Sequence, residues 1–183
     1  SVRRLVILSV LSVLLVPGAA SAQGLSEEPI GTLGELMRGI FFPNANKLFD
    51  VQAQEPGGEL PEMTPEVSEA VSAVVGNATA RFASIYRGWQ EVAGSAVALA
   101  DGAKLALLEG RPCENGVSAP IDNAEYIEGA RLLEESALNV LNGAREQDYE
   151  AVWDAVNYVN ESCTHCHRTF RDGPDSRQEP RCQ

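Results

Sequence analysis

Histidine and methionine are scarce in this chain of 183 residues, with two of each. No Ser/His/Asp set and no glycine-rich phosphate loop is present, so no substrate-processing site is evident and an enzyme is not expected. Basic residues are also short, at 14 Lys and Arg against 26 Asp and Glu, for a net charge of −12. An acidic surface repels phosphate backbones, which argues against nucleic acid as a partner. It is compatible with docking to a basic partner protein, and equally with plain solubility. Alternating apolar and polar residues of the kind that mark strands are missing, and no internal repeat stands out.

The apolar run Leu5–Val16 is too short for a membrane span. Arg3 and Arg4 precede it, and Pro17, Gly18 and Ala20-Ser21-Ala22 follow. That is the charged, apolar and small-residue order of a secretory signal peptide, expected over 1–22. Its removal takes away Arg3 and Arg4 and no acid, so the net charge moves from −12 to −14. The expected mature chain, 23–183, has room for one domain with a real core and retains no membrane span. Export also permits disulfides.

Four cysteines are present, and two of them open the motif Cys163-Thr164-His165-Cys166-His167. Cys-x-x-Cys-His is the attachment signal of c-type haem. The two thiols add across the haem vinyl groups as thioethers, and the adjacent imidazole becomes an axial ligand of the iron. The pattern arises by chance in about one chain in a thousand of this composition, so it is not background. A thioredoxin-like Cys-x-x-Cys expects a βαβ setting that is not visible here. A zinc site needs further ligands, and only Cys113, Cys182 and His165 remain. One covalently bound haem c per chain is therefore expected, held by Cys163 and Cys166 with His167 on the iron.

The rest of the chain reads as helices. Residues 31–50 place Leu33, Met37, Ile40/Phe41, Asn44 and Leu48 near one face, with Thr32 a candidate N-cap. Pro43 inside this run predicts a kink, or two short helices over 31–42 and 44–50. Val51–Thr64 reads as a loop, and Thr64-Pro65-Glu66 as a helix start. Phe82, Ile85, Trp89, Val92, Ala96, Leu99, Ala103 and Ala106 alternate three and four apart as a bundle seam, stopping at Gly110 and Pro112. Asp122 or Asn123 begins the next helix, carrying Tyr126, Ala130, Leu133, Ala137, Val140 and Ala144. Asp148 caps a last helix whose inward stripe holds Val152, Val156, Val159, Cys163, Cys166/His167 and Phe170. The sum is all-α, an antiparallel up-down-up-down four-helix bundle, with haem near the C-terminal end of helix four.

That topology brings four distant features to one end: Met37 near the start of helix one, Cys113 between helices two and three, the haem motif, and Cys182 after helix four. Met37 is then the candidate sixth iron ligand, a soft neutral donor that raises the potential. Its alternative is core filler, and Met63, in or beside the polar loop, is the one competing methionine. A Cys113–Cys182 disulfide is expected from the even remainder in an oxidising compartment, with two free thiols as the alternative.

The haem motif followed by Phe170-Arg171, together with Leu36-Met37-Arg38-Gly39-Ile40, resembles the cytochrome c′ and cytochrome c-556 group over about residues 31–171. The resemblance implies a periplasmic bacterial protein. In the c-556 type a Met at this place binds iron, and in the c′ type an apolar residue leaves the iron five-coordinate. Two features depart from the compact members, the segment from about Val51 to Thr79 and the Arg111–Gly116 loop. Arg38 and Arg171 are candidates for the haem propionates, with exposed last-turn basic residues as the alternative. Phe41, Trp89 and Phe170 are candidate pocket walls, and His165 an exposed spacer. The expected function is single-electron transfer to redox partner proteins. The alternative is a five-coordinate cytochrome c′-like protein binding nitric oxide or carbon monoxide. A homodimer stays open, because bundles of this type often pair through helix faces, although no decisive exposed apolar stripe stands out.

Overall fold

The structure, a computed structural model, describes residues 28–58, 87–172 and 182. The expected signal peptide, the helix start at Thr64-Pro65-Glu66, and Met63, Phe82 and Ile85 lie outside them. Every regular element among the described residues is helical. They are α1 (Leu33–Leu36), a π-turn (Met37–Phe41), α2 (Phe42–Phe49), α3 (Trp89–Ala106), α4 (Ala124–Glu146), α5 (Tyr149–His167) and a second π-turn (Arg168–Asp172). A short 3₁₀ turn, Asp50–Gln52, follows α2. No helix among the described residues is long and apolar enough to cross a membrane.

Local chemistry accounts for the helix starts. The Thr32 hydroxyl accepts from the Glu35 N–H at 3.1 Å, and the Glu35 carboxylate accepts from the Thr32 N–H at 2.8 Å. This reciprocal capping box satisfies two otherwise orphaned donors. Asn123 caps α4 by accepting from the N–H groups of Glu125 and Tyr126, and Asp148 caps α5 by accepting from that of Ala151. Helix α3 begins behind Gly88, whose φ of +61° breaks any run into it from upstream. It ends at Ala106, before the expected Gly110 stop. The Arg111 side chain folds back and donates to the Leu105 carbonyl at 2.9 Å, satisfying an acceptor of the last turn.

The first rod is not divided at Pro43 into the expected short helices over 31–42 and 44–50; its irregular turn lies upstream, at Met37–Phe41. The chain runs helically from Leu33 to Phe49 through the π-turn, with Phe42 N–H bonded to Met37 O. The reason is register. Leu33 and Leu36 are buried, as are Phe41, Ala45 and Leu48. In a regular helix at about 100° per residue, Phe41 would lie about 140° around from Leu36. One extra residue in a π-turn turns both apolar groups toward the core. Pro43 falls in the first turn of α2, directly after the π-turn. Asn44, expected on the core face, is half-buried and donates its amide to the Ile40 carbonyl at 2.7 Å.

Glycine contacts set the relative direction of α4 and α5. A Cβ on Gly129 of α4 would meet Cys166 and His165 of α5, and one on Gly143 would meet Val152 and Ala151. Advancing along α4 therefore means retreating along α5. Helices α3 and α4 are tied by Tyr126 Oη donating to the Ala106 carbonyl at 3.0 Å and by Lys104–Glu134 at 3.3 Å. The first rod crosses α3 where Phe41 lies against Gly102 and Lys47 pairs with Glu91. Leu48, Leu99, Val140, Val152, Val156 and Val159 are fully buried at the centre. Burying each such side chain contributes about 1.5–3 kcal/mol.

Candidate functional site

The last turn of α5 carries Cys163, Cys166 and His167 at i, i+3 and i+4, which is one face of a helix. That face borders a cavity of about 810 Å³, within the usual range for small-molecule and cofactor sites. The opposite contribution comes from the first rod, with Leu33, Met37, Arg38 and Phe41. Helix α4 adds Tyr126, Gly129, Ala130 and Leu133, and α3 adds Ala103 and Ala106. The structure thus brings together every residue singled out in the sequence for the cofactor: Cys163, Cys166, His167, Met37, Arg38 and Arg171 all line this one space. Each π-turn adjoins it, one opening at Met37 and the other following His167 directly. Such turns recur at functional sites because they re-aim the side chains on either side.

Cys163 and Cys166 are unbridged and half-buried. Burial pushes both thiols up, Cys166 to about 11, with the neighbouring Cys163 a smaller cause for Cys166. Reactive redox pairs need the reverse, a thiolate favoured by a helix N-terminus or a cation. These two thiols lie at a helix C-terminus, and burial disfavours their thiolates. Among the described residues no group of three or more His, Cys, Asp or Glu is placed to hold a metal ion. The motif does not by itself close a four-ligand zinc site.

Cys113 and Cys182 are bridged, with Cα atoms 4.8 Å apart. Cys113 is buried, and Cys182 reaches the cavity wall. The bridged loop is held to the first rod by Leu33 N–H donating to the Pro112 carbonyl at 2.8 Å. Glu114, next to the bridge, also lines the cavity and is ion-paired with Arg38. Arg38 therefore already meets a carboxylate of its own chain.

Two expectations about neighbours need correction. Trp89 does not reach the cavity; it lies at the far end of α3 against Gly57. The α3 axis separates it from Ala103 and Ala106 by about 20 Å or more, at 1.5 Å per residue. His165 is not an exposed spacer. It is turned toward α4 beside Gly129, and its Nε2 is buried without a hydrogen-bond partner. Phe41 and Phe170 do line the cavity.

Sequence reasoning placed Tyr126 only in a packing seam. It is a cavity wall, stacked edge-on against Phe170 with ring centroids 5.4 Å apart. Burial raises its phenol well above the ordinary value. Glu114 and Gly129 were missed as well, since no local pattern marks a loop acid or a helical glycine for a site. The chain matches no protein-family model, no curated protein and no solved structure.

Proposed function

We propose that this chain is an exported, periplasmic monohaem c-type cytochrome that carries single electrons between redox partner proteins. We take its fold as an antiparallel up-down-up-down four-helix bundle of the cytochrome c′ and c-556 kind, with the haem near the end of the last helix. One observation carries the reading. Two unbridged cysteines and a histidine, in attachment order on one helix, share a largely apolar cavity with a methionine from the far side of the sequence.

The residues present fit the group. Cys163 and Cys166 would hold it as thioethers, and His167 and Met37 would bind its iron. When bound, the haem would supply a one-electron ferric/ferrous couple. The chain does the rest. Met37 offers a soft, uncharged donor, which favours the reduced state and raises the potential. Leu33, Phe41, Ala130 and Leu133 give the cavity apolar lining, which also favours the less charged state. The Tyr126 hydroxyl donates to the Ala106 carbonyl, so its proton is already engaged. Arg38 and Arg171 bring guanidinium groups suited to the propionates, with Arg38 shared by Glu114.

The test is the absorption spectrum of the exported protein, with and without Met37→Ala. A low-spin spectrum with a thioether-to-iron band, converted by the substitution to a high-spin one that responds to carbon monoxide, supports the electron carrier. A wild-type spectrum already high-spin and sensitive to carbon monoxide means a five-coordinate gas-binding protein, for which Leu33 and Phe41 would supply apolar cavity lining. Absence of covalently bound haem overturns both.

A further inference from the structure

Gly129 lies in the body of α4, where glycine weakens a helix relative to alanine. A Cβ there would collide with Cys166 Sγ, and would lie 3.4 Å from His165 Cδ2 and 3.5 Å from Cys166 Cβ. Among the described glycines it is the one whose missing side chain faces a cysteine. It also walls the cavity beside Cys166. Gly143, on the same helix, meets Val152 instead, with Cγ2 at 2.9 Å and the backbone nitrogen at 3.3 Å. That is close helix packing away from the cavity.

We propose that Gly129 is a positioning residue for haem attachment: its missing side chain leaves the Cys166 sulfur the room it needs to form the second thioether. The inference rests on the covalent haem proposed above. The step it serves is an addition. The Cys166 sulfur bonds to one vinyl carbon, the thiol hydrogen passes to the other, and the carbon–carbon double bond becomes single. Nothing leaves, and no outside oxidant or reductant is needed. A methyl group at position 129 displaces the sulfur before this bond forms, while Cys163, a turn earlier on α5, keeps its place. Attachment then stops at one thioether.

The test is alkylation by iodoacetamide after denaturation of the exported protein, followed by peptide mass analysis. A thioether sulfur is inert to the reagent and a thiol is not. In wild-type protein both Cys163 and Cys166 are expected to be protected. In Gly129→Ala the ratio of protected to alkylated Cys166 should fall by about tenfold, in line with the cost of overpacking a close contact. Cys163 should remain protected, and the haem bands should move to the red, because one vinyl group stays conjugated. Gly143→Ala should lower the melting temperature yet leave both sulfurs protected. If Gly129→Ala accumulates poorly, a cycle decides. In a Cys166→Ala background, adding Gly129→Ala should cost no further melting temperature or yield. A persisting loss there shows that the glycine answers to helix packing and overturns the proposal. So does full protection of Cys166 in Gly129→Ala. Wild-type protein in which both motif cysteines take up the reagent overturns the haem reading, and this inference with it.

Discussion

Arg38, the residue after Met37 on the first π-turn, is ion-paired with Glu114, the residue after the bridged Cys113. Glu114 can lie there because Gly34 has no side chain: a Cβ on Gly34 would be 2.6 Å from the Glu114 carboxyl carbon. The wall that offers Met37 to the cavity is thus tied to the loop that holds the disulfide.

Hydrogen bonding from Arg38 holds the Glu114 carboxyl below its ordinary value of 4.5. A depressed acid contributes stability above its unfolded-state pKa, and this is lost as pH falls through the folded-state value. Both partners are exposed, so the effect on global stability is small and screened by salt. An NMR titration should therefore put the Glu114 midpoint below 4.5, moving up in Arg38→Ala. A wild-type midpoint at or above the ordinary value contradicts the pairing.

Reducing the Cys113–Cys182 bridge should destabilise the protein. The cysteines are 69 residues apart, and closing a loop of that order contributes about 2–4 kcal/mol through the unfolded state. Denaturant melts with and without reductant would read this, as would Cys113→Ser combined with Cys182→Ser. An unchanged midpoint means that the two cysteines do not pair in solution.

Both substituting and deleting Gly39 should be tolerated. A Cβ at this position meets nothing within 4 Å, so Gly39→Ala should be neutral or stabilise by up to about 1 kcal/mol through helix propensity. Removing the residue turns the π-turn into a regular helix and puts Phe41 four positions after Leu36, about 40° around, so both apolar groups still face the core. The loss of about 1.5–3 kcal/mol for each core side chain forced into water should therefore not appear. Thermal melts of the two variants check this; a large loss on deletion would show that the turn serves something other than register.

Chain produced without haem should keep its motif thiols protonated. Burial raises Cys166 from 9.0 to about 11. The folded state then binds more protons than the unfolded state between these values, so stability falls as pH rises through that window. Iodoacetamide should label Cys166 slowly at neutral pH, with its rate climbing only near the upper value. Rapid labelling at pH 7 would mean a thiolate and a redox-active pair. In protein carrying thioethers this pH dependence should vanish.

Much of the fold was legible because its signals are local. Thr32, Asn123 and Asp148 cap helices by bonding to N–H groups two or three residues away, so sequence alone exposes them. The seams of α3 and α4 are legible for a related reason: small and aliphatic residues three and four apart can bury one face only in a helix. The Cys-x-x-Cys-His spacing and the lone Met37 in the first rod also marked the side chains that share the cavity.

The misses involve partners that no local spacing encodes. A proline inside a helical run reads as a kink or break at Pro43, whereas the irregular turn lies just upstream, at Met37–Phe41, where register to the core demands it. Trp89 obeys the same seam as Ala103 and Ala106, yet a seam does not say how far along the rod the cavity lies.

By itself, the sequence determined the helical class, the caps, the seams and the chemistry-bearing residues, because each follows from backbone hydrogen bonding or covalent reactivity over a few positions. Only the tertiary structure decided that Glu114 meets Arg38, that Tyr126 stacks on Phe170, and that Gly129 makes way for Cys166. Those relationships join elements tens of residues apart, and they arise only when antiparallel helices lock in one register at contact distance.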